Sequence, residues 1–276
     1  MVDPKWLDVH FEASRSQYEA AFWAANLAPA SHVLDAGAGS GAFLSLLSEA
    51  LGRQGKITAI DLASENTAAL SHRIEQLQFD TAVEIAQASI LHLPFSDSTF
   101  DAIWCANTIQ YIPQQSLQPL CNEFWRVLKP GGRVAIKEFD NNGLHFSPFE
   151  KKLLWHLLEK IGDSKLMHGA GSLQATHLNH YLQDAKFLNI NMQSFMTEFQ
   201  QPLSNIEKEF LESALSLYSE LAVENTTDES TCKHWQEQLG DPQSHRYLLR
   251  QPDFYFREVH VLATGEKPMT SINQKI

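Results

Sequence analysis

Residues Val33 to Gly41 read VLDAGAGSG: a short apolar run, one carboxylate, then glycine at positions 37, 39 and 41. The apolar run suits a strand covered on both faces. The glycines remove every second side chain from the turn that follows, so backbone can approach a ligand and amide N–H groups can line a concavity. The next apolar segment, Ile57 to Asp61 (ITAID), ends on a second carboxylate, Asp61, 20 residues past Gly41. In a doubly wound α/β sheet an acid in that place meets ribose hydroxyls. Two neighbouring strand tips therefore predict a site for a nucleoside-containing cofactor.

Working outward, strand and helix signals alternate. Residues 4–27 read as helical up to Pro29. Ala42 to Leu51 is a helix stopped by Gly52, and Ser64 to Leu77 is another, with Ser64 as its expected N-cap. Ala82 to Ala86 and Phe100 to Cys105 are strands. Leu117 to Leu128 is an amphipathic helix ended by KPGG, and Arg133 to Phe139 is the fifth strand. This alternation argues for a parallel sheet with helices on both faces. After Asp140 the rhythm changes: NNGLHFSP reads as loop, then Phe149 to Ile161 and Ala175 to Phe187 as helices. Residues 189–199 and 253–265 alternate like strands, and the largely helical stretch between them is too long for a hairpin loop.

The chain has 276 residues, enough for one elaborated domain, with 43% apolar and 20% charged residues. Its formal charge of −12 repels phosphate backbones, so no nucleic-acid partner is expected. No apolar run approaches a membrane span, and the opening MVDPKWLDVHF lacks the charged-then-apolar pattern of an export signal; no membrane partner and a cytoplasmic location are expected. Cys105, Cys121 and Cys232 are far apart and form no CxxC pair, which supports neither a disulfide framework nor a zinc site. Asp140, Asn141 and Asn142 read as a turn, so no metal is expected.

Three segments coincide in order and spacing: VLDAGAGSG, LPFSDSTFDAIWC (93–105) and RVLKPGGRVAIKEF (126–139). Together they resemble a class I S-adenosylmethionine-dependent methyltransferase of the small-molecule type. The resemblance covers residues 5–140 and, more weakly, the last two strands. It implies an α/β fold: a Rossmann-like, seven-stranded, mostly parallel sheet with an N-terminal helical lid (1–30) and a cofactor-binding core (31–142). A substrate-side region (143–265) holds the terminal strands and a helical insertion at about 200–252 before the last strand; the tail (266–276) is expected to be disordered.

By the same resemblance, Ala36, Gly37 and Gly39 pass beside the methionine portion of S-adenosylmethionine and Asp35 sits near its amino group. Asp61 takes both ribose hydroxyls and Leu62 flanks the adenine. Ser89 and Ile90 meet the adenine edge, Ser89 standing where similar enzymes often have aspartate. Asn107, in the turn after the fourth strand, lies along cofactor and substrate. HFEASRSQY (10–18) is similar to a segment that folds over the cofactor, and Arg15 in it can pair with the cofactor carboxylate, since a guanidinium matches a carboxylate bidentately.

Methyl transfer from a sulfonium asks the protein mainly to hold two molecules in line and exclude water. A base is needed only where the acceptor keeps its proton. Glu138, at the end of the fifth strand, and His145, in the loop after it, are the first candidates, with His168, His177 and His180 following. Trp155, Phe195, Phe199, Phe210, Tyr218, Trp235, Tyr247, Phe254 and Phe256 make the appended region rich in rings, as core between helices, an oligomer interface, or the lining of a pocket for a hydrophobic or aromatic metabolite of secondary metabolism. A possible homo-oligomer stays open. Two rival readings stand beside this one: a non-catalytic cofactor-binding regulatory or partner subunit, and a nicotinamide-dependent oxidoreductase, against which LPF and LKPGG count. The turn ANTI (106–109) lacks the proline-rich signature of nucleic-acid amino-methyltransferases.

Overall fold

A computed structural model describes residues 4–29, 31–163, 173–224, 226 and 228–269. Its centre is a seven-stranded sheet in the order β3-β2-β1-β4-β5-β7-β6. β1 (His32–Ala36), β2 (Lys56–Asp61), β3 (Ala82–Gln87), β4 (Phe100–Ala106) and β5 (Leu128–Ser147) pair in parallel, and β7 (Tyr255–Glu266) runs antiparallel between β5 and β6 (Leu188–Gln200).

Side-chain alternation along the central strands explains the layering. Leu34, Ile103 and Cys105 face one apolar cluster, which α5 (Leu117–Val127) and α7 (Leu178–Asp184) cover. Val33, Ala102 and Trp104 face the other, covered by α2 (Arg15–Ala24), α3 (Leu44–Leu51) and α4 (Ser64–Leu77). Strands buried on both faces need such continuous apolar runs. In α5 the buried residues Leu117, Leu120, Cys121, Phe124 and Val127 fall three or four apart, one helical stripe against the sheet.

A third cluster builds the appended region from α6 (Lys151–Asp163), α8 (Asn205–Glu224), α9 (Glu229–Trp235) and the outer ends of β5 and β7. Phe199, Phe210, Tyr218, Trp235, Tyr247, Phe254 and Phe256 are buried in it. Phe195 packs against the α2–α3 side of the sheet instead, and Trp155 is 67% exposed. Rings that the sequence left open to line a pocket are thus mostly the core of the insertion. Among the described residues no helix is long and apolar enough to cross a membrane.

Several local expectations differ. The single N-terminal helix is two, α1 (Pro4–Ala13) and α2, because Ser14 leaves helical dihedrals (φ −104°, ψ 15°) to turn its hydroxyl toward Glu258. Ser64 is the first residue of α4 rather than its cap. Ala63 caps it, and Asp61 Oδ1 accepts from the Ala63 amide at 2.9 Å. The expected loop after Asp140 lies within β5, which absorbs it as an irregularity between Asp140 and His145 and goes on pairing with β7 to Ser147. The helix expected at 175–187 shortens to α7, preceded by a single tight turn. The tail begins later than expected: Glu266 ends β7, and Lys267 is buried, donating from Nζ to the carbonyls of Trp125 and Leu128. Residues 270–276, and His168, lie outside the described residues.

Candidate functional site

The strand order reverses between β1 and β4, and the crevice outside the carboxyl ends of such strands is where ligands of open α/β sheets bind. β1 delivers Asp35 and Ala36 there, β2 delivers Asp61, and β4 delivers Ala106 and Asn107. Gly37, Gly39 and Gly41 all have left-handed φ (+80°, +56° and +82°), which explains the spacing of the motif. A Cβ on Gly37 would overlap the Thr108 side chain, and one on Gly41 would lie 2.7 Å from Leu70. The amides of the turn do not line a concavity as the sequence suggested. Gly37 and Ala38 donate to the Ile60 carbonyl at 2.9 and 2.8 Å, and Gly39 donates to Asp61 Oδ2 at 3.0 Å. The turn offers a bare backbone surface beside two carboxylates.

Those carboxylates differ. Asp61 accepts from Gly39, Ala63 and Asn66, so its orientation is fixed at the tip of β2. Asp35 is buried, and its Oδ2 has no hydrogen-bond partner. Burial, reinforced by the charge of Asp61, pushes its carboxyl up to about 7. An unpartnered buried carboxylate oxygen is costly unless a donor arrives to meet it. Leu62, just beyond Asp61, is 69% exposed, an apolar side chain left beside the crevice.

The remaining expected residues are placed unevenly. Ser89 is half-buried, and its Oγ accepts from the Leu91 amide at 3.2 Å. Ile90 packs into the core with Leu34, Ala36 and Ile60, leaving its backbone as the group that can face a ligand. Arg15 does not reach the turn, since Glu12 and Glu19 on the same helical surface hold its guanidinium. The cation beside the glycine turn is Arg73 of α4, which donates to Asp8 Oδ1 at 2.6 Å; Ser40 donates to the same oxygen at 2.7 Å. Asp8 thereby ties α1 across the turn, and Leu7 comes against Gly39. The sequence signalled the helix but not which of its charges would turn inward.

Glu138 is at the end of β5 as expected, fully buried, with Oε2 accepting from the Gln110 amide at 3.2 Å and Oε1 from its neighbour Phe139 at 2.8 Å. Burial pushes it up to about 7. Its carboxylate braces the Ile109–Tyr111 turn. His145 pairs across β7 with Arg257 while Glu138 pairs with Val261, so the two sit roughly 13 Å apart along the strand. The fold does not bring these two candidates together. His177 and His180 are exposed, and Asp140 accepts from the Asn142 amide and side chain as a turn does.

A network that the sequence reading missed lies against Asn107. Lys137 Nζ, fully buried, is 2.6 Å from Asn107 Oδ1, 2.9 Å from His260 Nδ1 and 3.4 Å from the centre of the Tyr18 ring. Asn107, itself at φ +51°, donates from Nδ2 to the Tyr18 hydroxyl at 3.1 Å. Tyr18 reaches His10 Nε2 at 3.1 Å, and His260 Nε2 reaches Glu258 Oε1 at 2.9 Å. Burial lowers Lys137 to about 7 and, with Lys137 beside it, His260 to about 4. Burial opposes the charge on Glu258, but its bonds to His10 and His260 hold it well below the usual carboxylate range. His10 also stacks on Phe210 of α8, with ring centres 4.6 Å apart. The N-terminal helices are thus fixed to β4, β5, β7 and the insertion together. The sequence signals for this were Lys137 in the fifth strand and Glu258 and His260, spaced by two, in the last one.

Residues 33–132 match the family model described as a methyltransferase domain. Demethylmenaquinone methyltransferase of Bacillus cereus (strain ATCC 10987 / NRS 248) is 32% identical over 110 residues, covering 40% of this chain and 45% of the relative. The chloroplastic 2-phytyl-1,4-beta-naphthoquinone methyltransferase of Arabidopsis thaliana is 32% identical over 120 residues, 43% of this chain and 45% of the relative. The chain spans just under half the length of these curated relatives. A solved structure from Bacillus halodurans C-125 superposes on 90% of this chain and 97% of its own with a TM-score of 0.60 at 17% identity, a likeness of fold.

Proposed function

We propose that this chain, which carries a methyltransferase domain at residues 33–132, transfers a methyl group from S-adenosylmethionine to a small hydrophobic or aromatic acceptor. The observation that carries the reading is the Asp35 carboxylate, buried at the topological switch point with an oxygen that nothing among the described residues satisfies. A cationic amino group is the partner such an oxygen calls for. The other residues fit the same molecule. Asp61, held from three sides, is oriented to accept from ribose hydroxyls; Leu62 gives adenine an apolar face; and Ser89 and the Ile90 backbone edge the same crevice. Ala36, Gly37 and Gly39 give close backbone approach, and Asn107 closes the β4 side.

When bound, the cofactor supplies a methyl group already activated on a sulfonium. The protein's part is to hold the acceptor in line and keep water out. α1 and α2 close over the glycine turn, which supports assigning residues 1–30 as the lid, 31–142 as the cofactor core and 143–265 as the substrate side. Glu138 keeps the turn after β4 in place rather than touching the acceptor. His145 lies too far along β5 to act with it.

For the acceptor, the two curated relatives carry quinone compounds in their names, and the insertion presses Phe210 against Trp6 of the lid. Both support a ring-bearing, apolar acceptor. We take the protein as cytoplasmic, in keeping with three free cysteines.

Calorimetry with S-adenosylmethionine and, separately, NAD tests the cofactor. Saturable binding of the first alone is expected, lost in Asp61→Ala with the circular dichroism of the fold retained. Unchanged affinity in that variant refutes the ribose assignment. Turnover with labelled cofactor against a panel of quinols and phenols then separates an enzyme from a binding subunit.

A further inference from the structure

The buried network beside Asn107 gathers two imidazoles and one carboxylate at its far end. Both of its arms start at Lys137 Nζ. Along one arm the ammonium donates to Asn107 Oδ1, which turns the amide nitrogen toward the Tyr18 oxygen, and that oxygen lies 3.1 Å from His10 Nε2. Along the other arm the ammonium donates to His260 Nδ1, so His260 carries its proton on Nε2 and donates it to Glu258 Oε1. Ser14 donates to the same oxygen at 3.0 Å. The arms thus end on His10 Nε2 and Glu258 Oε1, which pair at 3.1 Å through a proton on His10. A cation bound between them would take that proton's place on His10 Nε2.

We propose that His10, Glu258 and His260 form a binding site for one divalent first-row transition cation, of which zinc is the simplest probe. Their three donor atoms lie within 4.8 Å of one another. Ligands held about 2.1 Å from such a cation at right angles to each other stand about 3.0 Å apart. The His10–Glu258 and His260–Glu258 separations, 3.1 and 2.9 Å, have that length. Two imidazoles and one carboxylate are a borderline donor set that suits zinc, iron(II), cobalt(II) or manganese(II) better than calcium or magnesium. With a cation on Nε2, His260 carries its ring proton on Nδ1, Lys137 meets it as the neutral amine, and one proton leaves that arm to solvent.

The site spans elements far apart in the chain: His10 comes from α1, Glu258 and His260 from β7. A cation there would clasp the N-terminal helices to the sheet beside Asn107. No local motif announces such a metal, because its ligands are separated by 248 residues.

The test uses the full chain without an affinity tag, stripped with chelator and studied without S-adenosylmethionine, so that its failure leaves the methyl-transfer reading standing. Zinc is titrated by calorimetry, and cobalt(II) by its visible ligand-field absorption. One equivalent per chain is expected for each, with affinity at least tenfold weaker in His10→Ala and unchanged in the exposed-site control His180→Ala. Glu258 is deeply buried, so Glu258→Gln is informative only where its circular dichroism matches the parent; His10, on the surface helix, keeps the test decisive. No stoichiometric binding of zinc, cobalt(II), manganese(II) or iron(II), or undiminished affinity in His10→Ala, overturns the proposal. In that case the proton between His10 and Glu258 stays in place.

Discussion

Replacing Asp35 with asparagine separates what the site costs from what it does. Asp35 titrates at about 7 in the folded chain because it is buried and lies near Asp61. Unfolded, it would titrate near the ordinary carboxylate value of about 3.9. The folded state therefore holds this proton more tightly. The stability it lends is complete below about pH 4 and is lost as pH rises through about 7. Three pH units correspond to about 4 kcal/mol, the cost of ionising Asp35 in place. The asparagine side chain would remove that cost but leave a buried NH2 without an acceptor, worth roughly 1–3 kcal/mol. Urea midpoints measured from pH 4 to 8.5 should therefore cross. Asp35→Asn is the less stable protein at pH 4–5 and the more stable by about 1–3 kcal/mol at pH 8. The same variant should lose cofactor binding, since its amide offers no charge to an amino group. In the parent, calorimetry at pH 6 in buffers of different ionisation enthalpy should register proton release on binding, fading by pH 8.5. Parallel stability curves for parent and variant would show that Asp35 is not an uncompensated buried carboxyl, and the argument for the cofactor's amino group would go with it.

Gly37→Ala forces a Cβ into Thr108 at φ +80° and should lower the melting temperature, with roughly 1–3 kcal/mol of backbone strain and cofactor affinity reduced; Thr108→Ala in the same chain should recover part of the loss. Asn107→Ala removes the bond to Tyr18 and the acceptor for Lys137, at about 1–3 kcal/mol. Amide exchange in residues 4–24 should accelerate more than in β1–β4, and equal acceleration everywhere would mean that the network does not hold the lid. Phe210→Ala opens a hole under Trp6, His10, Phe199 and Phe256, and should cost about 3–5 kcal/mol in urea unfolding.

The parallel part of the sheet was legible because its signals are local. VLDAGAGSG carries the strand, the left-handed turn and the first carboxylate within nine residues, and ITAID carries the second. Each glycine in the turn is explained first by its own left-handed φ, which is local, although the atoms a Cβ would strike come from α1, α4 and Thr108. β5 beyond Asp140 was not legible, because NNG has the composition of a turn and only pairing with β7, more than a hundred residues later, keeps the backbone extended. Ser14 fails in the same way: its helix breaks for a bond to Glu258, across 244 residues.

The charges at the site were the hardest to read, for an electrostatic reason. Arg15 and Arg73 look alike in sequence, and what separates them is which carboxylates their helices supply. Glu12 and Glu19 lie three and four residues to either side of Arg15, across the break at Ser14, and hold it on the surface, whereas Arg73 finds its acceptor, Asp8, 65 residues away and so is drawn across the glycine turn. Lys137 is more extreme. An ammonium inside an apolar strand reads as an error until Asn107, His260 and the face of Tyr18 are seen to converge on it from β4, β7 and α2. A buried charge is tolerated only where such partners assemble. The residue that least fits its local pattern is therefore the one where distant elements meet, and here that point lies beside the turn that follows β4, at the mouth of the proposed cofactor site.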